Sequence, residues 1–215
     1  MQTLGVSDSL PHSESRIKSL FWPSIRSGSD VDYLGIQGYW VCTFVALMTL
    51  VVPLFSMWSV ATARQVIIIL LFFGMFSLFF YVGGTGVREG SRFAACVVFV
   101  DYALDTGTFL SGLFNPSGLV TLVVSPAFMM GLLFKLAVTV ILFCNLRATW
   151  IAASWVPGTE DALLPLRRGE TVRDKFVDGW PRWIWPKMRI PYYLLSTLVL
   201  LITTLGAVAL VFRHR

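Results

Sequence analysis

Residues 65–87 read QVIIILLFFGMFSLFFYVGGTGV, twenty-three consecutive positions without a charged side chain, bounded by Arg64 and Arg88. A helix of that length rises ~35 Å at ~1.5 Å per residue, enough to cross the ~30 Å hydrocarbon core of a bilayer. The pattern recurs. No charge falls between Asp32 and Arg64, from Thr106 to Phe134, or from Ile190 to Phe212. The whole chain of 215 residues is 56% hydrophobic and 13% charged, whereas a soluble domain carries about a quarter charged residues. So few charges cannot cover so much apolar surface in water. The fold class expected is all-α, a polytopic integral membrane helical bundle of about five transmembrane helices.

The spans are read as Gly35 to Trp58, Gln65 to Gly83, Phe93 to Phe114, Ala127 to Trp150 and Pro191 to Phe212. This divides the chain into four parts: a cytoplasmic N-terminal segment (1–33), a four-helix core (34–155), a basic, Trp-rich connection (156–189), and a fifth helix with a short basic tail (190–215). Pro53 is expected to bend the first span, because it lacks an N–H and crowds the preceding turn. Asn115-Pro116-Ser117-Gly118 is a turn signal. The apolar piece from Gly118 to Ser125 stops at Pro126 and is expected to lie on the surface or re-enter the membrane. Cys42, Cys96 and Cys144 fall within apolar stretches and read as small buried hydrophobes. Residues 1–33 carry Asp8, Glu14, Asp30 and Asp32 and no apolar signal-peptide region, so the first span is expected to act as the targeting signal.

Orientation follows from the basic residues. Arg16, Lys18 and Arg26 precede the first span, Arg88 and Arg92 follow the second, and eight more fall between Arg147 and Arg189. These thirteen share one side, against three on the other, namely Arg64, Arg213 and Arg215. The N-terminus is therefore expected in the cytoplasm and the C-terminus outside. A four-span alternative would lay the last segment on the surface, but its unbroken apolar run argues against that.

The third span contains Asp101 and Asp105, four apart and so on one helical face with Ala94, Thr108 and Gly112 near it. A charge at this depth costs ~2.5–3.5 kcal/mol on insertion scales, so it should face the bundle interior and find a partner. Lys135 in the fourth span is the candidate, with Gly131 and Thr139 at helical spacing. Counting from Arg92, Asp101 and Asp105 lie ~14 and ~20 Å deep, and counting from Arg147, Lys135 lies ~18 Å deep on the same side. Asp105 is expected to pair with Lys135, leaving Asp101 either a second acceptor or protonated. Such a cluster can be a proton or ion relay, or an ion pair that only fixes how two helices dock.

Trp180, Trp183 and Trp185 alternate with Arg182, Lys187 and Arg189 and with Pro181 and Pro186 just before the last span. Amphipathic rings and cations together suit the headgroup level and anionic lipid. A nucleic-acid role is disfavoured, because the connection carries eight basic and five acidic residues. The stretch with Ile17, Leu20, Phe21, Trp22 and Ile25 reads as a short amphipathic segment on the membrane. Gly74, Ser77, Tyr81 and Gly84, with Ser196, Thr203 and Gly206, read as helix-contact positions. Gly83-Gly84-Thr85-Gly86 reads as a turn after the second span and lacks the lysine of a phosphate-cradling loop. His12 and His214 stand at opposite chain ends. No catalytic constellation, cofactor motif or clustered metal ligands are visible.

Four local patterns resemble a group of small uncharacterised bacterial membrane proteins with a four-helix transmembrane core. They are Phe21-Trp22-Pro23-Ser24-Ile25, Gly38-Tyr39-Trp40, Ser91-Arg92-Phe93-Ala94-Ala95 and Arg147-Ala148-Thr149-Trp150. The resemblance covers about residues 16 to 155 and implies the cytoplasmic membrane of a bacterium, with no activity or site residue attached. The fifth span and its basic connection depart from that pattern.

The leading functional expectation is a non-enzymatic accessory or interaction subunit, with a membrane protein partner or a second copy of itself. The alternative is a proton- or ion-coupled transporter or channel using Asp101, Asp105 and Lys135. The first expects an Asp105→Asn, Lys135→Met double variant to keep function, since a neutral pair can pack as well as an ion pair. The second expects a cavity that reaches the three charges, and a sealed interior around them would sink it.

Overall fold

The computed structural model describes residues 23, 25, 28–57, 62–112, 125–154 and 175–213. These form α1 (Gly28–Met57), α2 (Ala63–Arg88), α3 (Arg92–Ser111), α4 (Pro126–Ala152), a π-helical turn (Lys175–Gly179) and α5 (Trp180–Arg213). Among the described residues there is no strand. Five helices are long and apolar enough to cross a membrane, and the chain is a multi-pass membrane protein.

Local chemistry sets several of the ends. Gln65 accepts a 2.8 Å hydrogen bond from the Thr62 backbone N–H at the start of α2, satisfying one of the donors a helix start leaves open. Ser91 caps α3 by accepting from Ala94 N–H. Ser125 does the same for α4 from Phe128 N–H, with Pro126 just inside the helix, where its missing N–H costs nothing. Between α2 and α3 the chain reverses at Gly90, with φ +70°, a left-handed conformation that favours glycine. Ser91 N–H closes this turn onto Gly86 C=O at 2.9 Å.

Helices α1 to α4 form a ring in which α1 meets α2 and α4, and α3 meets α2 and α4, while α5 lies against α2 and α3. Helix α2 is thus shared by three neighbours, and its last two turns show how. Every residue from Val82 to Arg88 is buried. Gly84 faces Cys42 of α1, Gly83 faces Tyr192 of α5 and Val98 of α3, and Gly86 faces Trp185 of α5 and Ala94 of α3. The glycine run expected as a turn is therefore helical. It is the place where three helices approach one backbone closely, as small residues permit inside membranes. The core around it contains Phe79, Val98, Tyr192 and Val199, with Tyr192 stacked on Phe79 at 5.7 Å between centroids.

Another boundary differs from the sequence reading. Helix α5 starts at Trp180 instead of near Pro191 and carries Pro186 and Pro191 within it, as membrane helices tolerate when neighbours surround the freed groups. The segment from Gly118 to Pro126 lies outside the described residues up to its last two. So does the N-terminal amphipathic stretch, apart from Pro23 and Ile25. Pro23 C=O accepts from Arg147 at 3.3 Å, and Ile25 packs against Leu34, Cys144 and Ala148.

A Cβ added at Gly86 would sit 2.5 Å from the Trp185 ring and 2.6 Å from the Ala94 Cβ, whereas one added at Gly74 meets nothing within 4 Å. Gly86→Ala is expected to destabilise the bundle by about 1–3 kcal/mol through overpacking. Gly74→Ala on the same helix is expected to leave stability unchanged or slightly raised. Thermal unfolding of both variants in one detergent checks the contrast.

Candidate functional site

Two groups of charged side chains lie within the bundle, and they differ in what surrounds them. The first is centred on Arg88, the last residue of α2, which is 2% exposed. Its Nη1 donates to Asp32 Oδ1 at 2.6 Å and its Nη2 to Asp178 Oδ1 at 2.5 Å. Its Nε donates to Val177 C=O at 3.3 Å. One guanidinium therefore joins the end of α2, the first turn of α1 and the π-helical turn that leads into α5. Tyr39 reinforces the junction by donating to Phe176 C=O at 3.3 Å. Asn145 of α4 adds a 2.6 Å bond to Leu34 C=O. A planar fork with two carboxylates and a carbonyl around it suits a structural clasp.

The second group faces open space. Toward the opposite end of the helices a cavity of ≈ 830 Å³ is lined by side chains from all five. Phe44, Phe72, Phe73, Phe76, Phe80 and Phe134 lie in its wall. Asp101, Asp105 and Lys135 supply its charged groups, with the hydroxyl residues Thr49, Tyr102 and Thr203 beside them. Asp105 and Lys135 form an ion pair between α3 and α4. One turn further along α4, Thr139 shares a 3.1 Å hydrogen bond with Thr106 of α3. The Lys135 ammonium also lies 5.5 Å from the ring centroids of both Tyr102 and Phe109, within the range of a cation–π attraction.

Asp101 does not share Lys135. Its Oδ1 accepts a 2.7 Å hydrogen bond from Thr203 Oγ1 of α5, and the residue is 2% exposed. Sequence reasoning singled out Asp101 and noted Thr203 only as a helix-contact residue. The signal that links them is depth, since both sit mid-span on helices that pack together.

The third set of residues singled out in the sequence divides. Trp180 and Trp183 are exposed, and Lys187 lies 3.8 Å over the Trp183 ring. Arg182 is exposed, and Arg189 donates to the Tyr193 hydroxyl at 2.8 Å. Trp185 is different. It is 7% exposed and packs edge-on to Tyr192 over Gly86, so it is a core residue and not an interfacial anchor. The physical reason is that the stretch is helical, which turns one ring of the three inward. The Arg88 clasp escaped the sequence reading because Arg88, at the edge of an apolar run, was counted as a connection charge.

The two groups should respond differently to loss of charge. Arg88→Met leaves two carboxylates without their shared cation and is expected to cost about 3–5 kcal/mol. The Asp105 side chain is 52% exposed and borders the cavity, so Asp105→Asn is expected to cost less than Arg88→Met. Unfolding midpoints of the two variants in detergent decide it. Compared with known protein families, with curated proteins and with solved structures, the chain matches none of them.

Proposed function

We propose that this protein is a non-enzymatic proton- or ion-coupled transporter or channel of a bacterial cytoplasmic membrane, working through Asp101, Asp105 and Lys135. The observation that carries the reading is the cavity that reaches all three. A pair needed only to dock two helices has no use for open volume beside it, and close packing would serve it better. The cluster also spans three helices: α3 gives the carboxylates, α4 the lysine and α5 the Thr203 hydroxyl. A shift of α5 or α4 against α3 changes which donor each carboxylate meets. That exchange of partners is how an intramembrane carboxylate takes up and releases a proton or cation.

Charge distribution supports an N-terminus in the cytoplasm. This places the Arg88 clasp at the cytoplasmic end and the cavity in the half of the bundle toward the outer face. A fluorescent reporter that matures only in the cytoplasm is expected to work at the N-terminus. A phosphatase active only outside is expected to work after Arg215. The opposite result at the C-terminus alone would restore the four-span arrangement.

The rival reading is an accessory or interaction subunit in which the same charges only fix helix docking. Charge movement separates the two. Reconstituted protein on a supported bilayer is expected to pass a current under an imposed pH or salt gradient. The Asp105→Asn, Lys135→Met double variant is expected to lose that current while keeping its unfolding midpoint. An unchanged current in the double variant, or none from the wild type, would remove the transport reading and leave the accessory one.

A further inference from the structure

The cavity also has the chemistry to select among solutes. Seven of the eighteen residues that line it are aromatic, and the negative faces of aromatic rings attract cations. The polar groups at its edge comprise two carboxylates against one ammonium. Asp105 and Lys135 neutralise each other, which leaves Asp101 as the carboxylate without a cation. Among the described residues its hydrogen-bond partner is one neutral hydroxyl, Thr203. A buried carboxylate held only by a hydroxyl is stabilised by any cation that arrives beside it.

The fold already holds one ammonium on this wall. Lys135 Nζ lies 5.5 Å from the Tyr102 centroid, and Tyr102 follows Asp101 directly in α3. The volume, ≈ 830 Å³, lies in the range of about 300–1,000 Å³ that suits a drug-sized molecule. We infer that the cavity binds monovalent lipophilic organic cations, whose apolar groups contact the phenylalanine wall and whose charge is met by Asp101. This names the solute class for the transport reading above and rests on it for translocation, though not for binding. An anion would meet net negative charge. A small inorganic cation would leave most of the apolar volume unfilled.

The probe is tetraphenylphosphonium, with tetraphenylborate as an anion of similar size and shape. Binding to the purified wild-type protein in lipid nanodiscs is read by equilibrium dialysis. The phosphonium is expected to bind saturably and at least about tenfold tighter than the borate, the difference that an aromatic and carboxylate-lined site makes. Asp101→Asn is expected to weaken phosphonium binding by about tenfold and to strengthen borate binding, because the charge that attracts one ion repels the other. Equal binding of the two ions by the wild type would overturn the inference without reference to any variant. So would undiminished phosphonium binding by a folded Asp101→Asn protein. Proteoliposome uptake separates the two claims. Saturable phosphonium binding without uptake upholds the solute class and removes transport of it. Gradient-driven current without phosphonium binding overturns the solute class and leaves transport standing.

Discussion

The burial of one guanidinium sets the constraint on which the rest of this bundle depends. Moving an ion out of water costs several kcal/mol even after relaxation, and only good geometry with satisfied hydrogen bonds offsets it. Arg88 meets that condition with carboxylates from two separate parts of the chain and a backbone carbonyl. The position of α1 at its first turn and the position of the π-helical turn before α5 are therefore both tied to the end of α2. The glycines at 83, 84 and 86 let the neighbouring helices come close enough to reach it. Both devices act at the same end of α2, the glycines on its faces and the guanidinium at its last residue.

Fixing the helices tightly at one end leaves their other halves less constrained. There phenylalanines line open volume, and Gly74 and Gly131 have nothing packed within 4 Å of where a Cβ would sit. Rings such as Phe44 and Phe134, in edge contact at 5.6 Å, line the cavity and join α1 to α4 across it. The asymmetry gives the molecule a closed end and an open end with different kinds of charge. At the closed end one buried guanidinium holds two part-buried carboxylates. At the open end Asp105 and Lys135 stay partly exposed, and Asp101 rests on a hydroxyl. Charges with conditional partners belong beside open volume, where a solute or proton can reach them.

Much of this was legible in the sequence, for identifiable reasons. Uncharged runs between charged positions located α1, α2 and most of α5, because the bilayer penalises charge more consistently than any propensity acts, and α3 and α4 stood out as apolar stretches around a few isolated charges. Depth counting brought Asp105 to Lys135, since helical rise is nearly constant. The errors arose where one residue type carries opposite meanings. Glycine breaks helices in water but packs them in membranes, so residues 83–86 read as a turn when they are helical and in close contact with three neighbouring helices. The uncharged run from Ile190 suggested a late start for α5, yet its helix begins at Trp180. Arg88 and Trp185 look like interfacial residues by type. Only the three-dimensional arrangement shows that both point inward, because a lone charge or ring at a span edge carries no signal of which way its helix face turns.

The difference between the closed and open ends can be measured directly by thiol reactivity. Cys42, Cys96 and Cys144 are replaced by alanine, and single cysteines are introduced at Thr203, beside the cavity, and at Thr85, in the glycine-packed end. The protein in nanodiscs, open at both faces, is then treated with a charged, membrane-impermeant thiol reagent. Thr203→Cys is expected to react readily and Thr85→Cys to stay unmodified. Equal protection of both positions would mean that the charged cluster faces no accessible space, and would contradict a functional cavity in this protein.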